Sequence, residues 1–120
     1  MRKLILTVPL LLALGGVAGQ TAQASNSSRL FDQAQRAVCH YFTGSNCAIA
    51  MRIVKCETGG TYTPWSANGQ YLGIFQMGSR ERRVYGHGNN VWAQARAAYA
   101  YFRDAGFGPW LNYEPPGCGY

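Results

Sequence analysis

Carboxylates are scarce in this 120-residue chain: five Asp and Glu stand against eleven Lys and Arg. Asp32, Glu57, Glu81, Asp104 and Glu114 are the whole set, so any acid–base chemistry carried by a carboxyl can be weighed one residue at a time. No cysteine has a close cysteine neighbour, and neither His40 nor His87 stands at ligand spacing, which argues against a zinc centre and leaves no metal or cofactor expected. The one extended apolar run, Leu4 to Ala18, is interrupted by Pro9 and is shorter than the roughly twenty residues a spanning helix needs, which argues against a membrane anchor. No segment repeats, no linker divides the chain and no nucleic-acid-binding signature appears, so neither a repeat array nor a nucleic-acid partner is expected.

What is present begins with the ends of that apolar run. Arg2 and Lys3 precede it, and Ala22-Gln23-Ala24 closes it with the small residues that signal peptidase cuts after. Residues 1–24 read as a secretory signal, with a mature chain starting near Ser25, and the first cysteine, Cys39, stands too late for a lipid anchor. Without Arg2 and Lys3 the chain keeps a charge of about +4, which points to an anionic partner. A single monomeric domain of about 96 residues would be only marginally stable on its core alone. In an exported chain Cys39, Cys47, Cys56 and Cys118 therefore read as two disulfides; of three possible connectivities we favour Cys39 with Cys47 and Cys56 with Cys118. Chain entropy assigns about 2.6 kcal/mol to the short loop and about 4 kcal/mol to the long one.

Hydrophobic spacing predicts helices over about 30–42 (Leu30, Ala34, Ala37, Val38, Tyr41) and 47–57 (Ile49, Ile53, Cys56), the second stopped by Gly59-Gly60. From Thr61 to Met77 aromatic, β-branched and turn residues predict a short hairpin or wing about Asn68-Gly69. Ser79 is placed to cap a brief helix through Tyr85, and a glycine-rich break at 86–90, with His87 as a turn residue, precedes the last helix. That helix has Asn90 as its cap, an apolar stripe of Trp92, Ala95, Ala98, Tyr99, Phe102 and Ala105, and Gly106 as its stop. The expected fold class is α+β and mainly α, with a short β hairpin and two disulfides.

Glu57 stands apart from the other carboxyls. It ends an apolar helix, follows a cysteine and precedes Thr58-Gly59-Gly60, where backbone can approach a ligand closely. Burial beside Tyr62, Trp65, Tyr71 and Phe75 would keep it protonated and make it a general acid. An ordinary exposed glutamate at a helix end is the plain alternative.

Three segments together resemble the soluble lytic transglycosylase family of the lysozyme superfamily: Lys55-Cys56-Glu57-Thr58-Gly59-Gly60, then Asn68 to Met77 with Gly73-Ile74-Phe75-Gln76, then Gln94 to Trp110. The closing Ala97 to Phe102 with Gly106 to Trp110 and a terminal cysteine is also similar to resuscitation-promoting factors. The resemblance covers about Cys47 to Cys118. It implies a small lysozyme-like domain over 47–120 after an N-terminal extension over 25–46 with one helix. It further implies Glu57 as sole catalytic carboxyl, Thr58 where the family has Ser, and Gly73, Phe75 and Gln76 along the sugar groove. The family's later tyrosine segment is absent, and Tyr99 or Tyr101 would have to replace it.

The expected substrate is then the glycan of peptidoglycan, met outside the cell. Two carboxyls usually serve glycoside cleavage. Here Glu81 lies among Arg80, Arg82 and Arg83 and reads as a surface ion pair, so a substrate-assisted route through Glu57 alone is expected. Trp65, Tyr62, Tyr71 and Trp110 are candidate sugar platforms, with core packing preferred for Trp92 and Trp110. The three arginines either draw the protein to anionic wall polymers or form a solvated face. A hydrolytic lysozyme, a resuscitation-type muralytic factor and a noncatalytic wall-binding module are the competing functions.

Overall fold

The computed structural model describes residues 10–111. Its elements are α1 (Leu10–Tyr41), α2 (Ser45–Glu57), β1 (Ala67–Asn68), β2 (Tyr71–Leu72), α3 (Ser79–Tyr85), α4 (Val91–Ala105) and α5 (Gly108–Leu111). The architecture is α+β and mainly α. The helix expected over 30–42 is the last part of the longer α1, which reaches back to Leu10 because the intervening stretch is rich in the helix formers Ala, Leu and Gln and no proline follows Pro9 until Pro64. Among the described residues no helix is long and apolar enough to cross a membrane.

The core forms where α1 lies against α4 and α2. Ala34, Ala37 and Val38 of α1 are fully buried, and their small size lets the helices approach closely. Phe42, just past α1, is the hub: its ring lies 5.5 Å from Phe75, 5.9 Å from Phe107, and 5.3 Å from both Tyr99 and Phe102. Burying one side chain of this kind contributes about 1.5–3 kcal/mol. Ala50, Ile53 and Val54 of α2 and Val91, Ala95 and Ala98 of α4 complete the cluster.

The cap of α4 is as expected, with the Asn90 side chain accepting from the Ala93 N–H at 2.9 Å. Its stripe begins one residue earlier than expected. Val91, not Trp92, faces the core; Trp92 is 46% exposed, with its ring 5.5 Å from His40 of α1. Ala105 is exposed as well. Likewise Gly78, not Ser79, precedes α3, and no side chain caps that helix. The one-turn α5 was not anticipated. Pro109 suits a first turn, and the turn buries Trp110 so that its indole N–H donates to the Phe75 carbonyl at 2.9 Å. Trp110 is thus the core residue the sequence suggests.

Cys39 and Cys47 form a disulfide, with Cα atoms 4.9 Å apart, fastening the end of α1 to α2. It is the one disulfide seen within the described residues, none of whose cysteines is free; Cys118, the expected partner of Cys56, lies outside them. The hairpin is antiparallel, pairing Ala67 with Leu72 and Asn68 with Tyr71, so the turn centres on Gly69-Gln70, one residue beyond the Asn68-Gly69 expected. A further bridge joins Leu72 to Met77.

Candidate active site

Glu57 is the last residue of α2, and the chain behind it is locked. Gly60 N–H returns to the Lys55 carbonyl at 2.7 Å and Gly59 N–H to the Cys56 carbonyl at 3.1 Å. This six-to-one and five-to-two pair needs a left-handed residue at Gly59, whose φ is +61°, a conformation that glycine adopts without strain. The carboxyl so placed is half-buried and has no hydrogen-bond or ion-pair partner among the described residues. Loss of water raises its pKa above the ordinary carboxylate value, with no neighbouring charge contributing.

Thr58 is only 5% exposed, and its hydroxyl serves as both donor and acceptor. It donates to the Val54 carbonyl at 2.8 Å and accepts from the Tyr62 N–H at 3.0 Å, while the Thr61 hydroxyl donates to the Thr58 carbonyl at 2.8 Å. The hydroxyl therefore straps the loop after Glu57 onto α2. Tyr62 takes φ +56° there, one of two non-glycine residues with positive φ among the described residues. The other is Gln76, at φ +46°. Such residues cost about 1–3 kcal/mol each and concentrate at functional sites.

The Ser66 carbonyl ties the strand entry after Trp65 to the Gly73–Gln76 loop. It accepts from Gly73 N–H at 2.8 Å and from Gln76 Nε2 at 2.9 Å, and Gln76 Nε2 donates again to the Gly73 carbonyl at 3.0 Å. With its nitrogen engaged, Gln76 offers a ligand its Oε1 as an acceptor. Trp65, next to Ser66, is 67% exposed and presents a flat apolar face to solvent. Tyr71 is half-buried, with its ring edge against Gly78.

Gly73 itself is held by a residue the sequence reading passed over. Gln94 of α4 is 1% exposed, and its amide joins three segments. Oε1 accepts from Ile74 N–H at 2.9 Å, and Nε2 donates to the Pro64 and Gly88 carbonyls at 3.0 Å each. At Gly73 the φ is +89°, and a Cβ would stand 2.8 Å from both the Gln94 amide and His87 Nε2. Gly73→Ala should therefore cost at least about 2 kcal/mol and lower the melting temperature by on the order of 10 °C. Gly69→Ala, also at positive φ but with open space around the site, should cost clearly less, and equal melting of the two variants would refute the close fit at Gly73.

The remaining expected site residues fall elsewhere. Phe75 has no exposed surface and supports the Gly73–Gln76 loop from within the core. Tyr99 is partly buried in the aromatic cluster with Tyr41, Phe42 and Phe102. Tyr101 packs between Tyr85 and Trp110. Asp104 accepts a hydrogen bond from Tyr85 at 2.9 Å, and Glu114 lies outside the described residues. No group of three or more potential metal ligands gathers among the described residues. An open cleft of about 470 Å³ lies beside the loop frame that Ser66, Gly73, Gln76 and Gln94 bond together, with Trp65, Leu72, Arg82, Arg83 and His87 in its wall and Glu57 not among its lining residues. His87 is thus more than a turn residue. Its half-buried ring has a pKa lowered by burial and then by the charge of Arg82.

No family model matches the chain, and neither a curated protein nor a solved structure matches it at a significant level.

Proposed function

We propose that the protein is a secreted peptidoglycan lytic transglycosylase, cleaving the glycosidic bond between N-acetylmuramic acid and N-acetylglucosamine with Glu57 as its one acid and base. The observation that carries this reading is a carboxyl fixed at a locked helix end, half-buried, without a charge partner among the described residues, and raised in pKa by loss of water alone. A proton is therefore retained there at a pH where an exposed glutamate has lost it, as general-acid catalysis requires. The exposed face of Trp65 and the acceptor oxygen of Gln76, joined through Ser66, are the proposed sugar contacts.

Protonated Glu57 donates to the bridging oxygen as its bond to the muramic acid anomeric carbon breaks. The acetamido oxygen of the same sugar stabilises the developing cation. Glu57, now a carboxylate, takes the proton of that sugar's own primary hydroxyl, whose oxygen closes onto the anomeric carbon. Bond count and protons balance without water, and no second carboxyl is needed. Digestion of purified peptidoglycan followed by mass spectrometry tests the route. Expected are products ending in anhydro-muramic acid; ordinary reducing ends alone would mean hydrolysis.

A further inference from the structure

The cleft beside the loop frame is not part of the Glu57 chemistry, yet it has the size and lining of a ligand site. Its volume of about 470 Å³ lies in the range of small-molecule sites. Its described wall contains two guanidinium groups, Arg82 and Arg83, and no carboxylate. Arg82 is held in place: Nη1 donates to the carbonyls of Gln70, at 2.8 Å, and Met77, leaving the rest of its donor fork uncommitted to any carboxylate among the described residues. An ordered arginine without an anion is poised to take one in a bidentate fashion. The lining also includes the apolar side chains of Pro64, Leu72 and Trp65. His87, in the same lining, carries a buried Nε2 with no hydrogen-bond partner among the described residues.

We propose that this cleft binds a short peptide that carries a free carboxylate and small aliphatic side chains, the carboxylate lying on Arg82 and Arg83 and the aliphatic part against Pro64, Leu72 and Trp65. A bare phosphate would leave most of the volume and all of the apolar wall unfilled, and a polyol phosphate chain has nothing apolar to set against Trp65 and Leu72. The inference rests on the peptidoglycan reading in one respect: such peptides hang from the glycan that Glu57 is proposed to cut, so the cleft would hold the peptide while the sugar lies along the frame. Trp65 borders both.

Binding can be measured without cleavage. N-acetyl-tri-alanine, its C-terminal amide and glycerol phosphate are titrated into the disulfide-intact chain, followed by NMR of the Trp65 indole and the His87 imidazole. The free acid should give saturable shifts at Trp65 and raise the His87 pKa, because a bound anion offsets the field of Arg82. The amide should bind about tenfold more weakly, and Arg83→Gln should weaken the acid by a similar factor. Arg83 is exposed and holds no backbone, so loss of fold does not confound that variant. Glu57→Gln should leave peptide binding unchanged, so a protein that binds the peptide but never cuts glycan would refute the catalytic reading alone. Equal binding of acid and amide, glycerol phosphate binding as well as the peptide, or the absence of saturable shifts would overturn the proposal.

Discussion

Glu57→Gln is expected to abolish glycan cleavage, lowering the rate by at least about a hundredfold, without lowering the melting temperature. Glutamine has nearly the shape of the acid but no proton to give, and general-acid contributions run to about 10²–10⁴ in rate. The fold should not suffer, because the carboxyl has no partner among the described residues whose bond would be lost. The pH dependence follows from the raised pKa. Burial makes ionisation of Glu57 harder in the folded chain than in the unfolded one. Between the unfolded carboxyl pKa and the raised folded value, the native state holds a proton the unfolded state has released, so stability falls as pH rises through that window. Below the window the variant and the parent should melt alike. Above it the glutamine variant, which carries no buried charge, should melt higher. Parent activity should fall as pH climbs through the folded pKa, because the acid form is used up. A glutamine variant that clears cell walls at the parent rate, or that melts lower at neutral pH, contradicts this assignment.

Gln94→Leu should be the most damaging single change to the fold near the site. It removes the acceptor for Ile74 N–H and the donor for the Pro64 and Gly88 carbonyls in a position almost without solvent. A buried polar group left unpaired costs about 1–3 kcal/mol, so a loss of about 3 kcal/mol is expected, or on the order of 10–20 °C in melting temperature for a domain of this size. Gln94→Glu separates shape from hydrogen bonding. When ionised it can accept from Ile74 but cannot donate to the two carbonyls, and when protonated it regains one donor; its deficit should therefore shrink as pH falls. A leucine variant that melts within a degree or two of the parent would show that the amide is not the strut between α4 and the Gly73 loop.

These two residues also mark where sequence reading succeeds and where it stops. Glu57 is legible because its placement is local: an apolar helix, then Thr58 and two glycines whose left-handed conformations end it. Asn90 is legible for the same reason, its side chain capping three residues along. The hairpin is found through its Asn-Gly step, displaced by one residue because pairing of Asn68 with Tyr71 leaves Gly69-Gln70 to turn. Gln94, by contrast, acts on segments twenty and thirty residues away, and nothing in its own neighbourhood announces that. A signal was present in retrospect: a lone polar residue on the Val91, Ala95, Ala98 face of α4 must find partners when that face is buried. Helical spacing puts Trp92 on the apolar stripe with Ala95 and Ala98, yet the phase of the buried face is set by Val91, one residue earlier. His87 looks like a glycine-flanked turn from the sequence, and its role in the cleft exists only once α4 is brought against the Gly73 loop. Thr58 has a role its own position does not reveal: its hydroxyl, standing where the resembled family has that of Ser, is engaged internally and fixes the loop that follows Glu57.

The most direct measurement is release of soluble glycan from washed cell walls by the purified, disulfide-intact protein, followed with time at mildly acidic pH. Steady release is expected from a carboxyl that can hand its proton to the oxygen between two amino sugars. Walls that remain intact under those conditions would contradict the assignment of Glu57 as a catalytic acid.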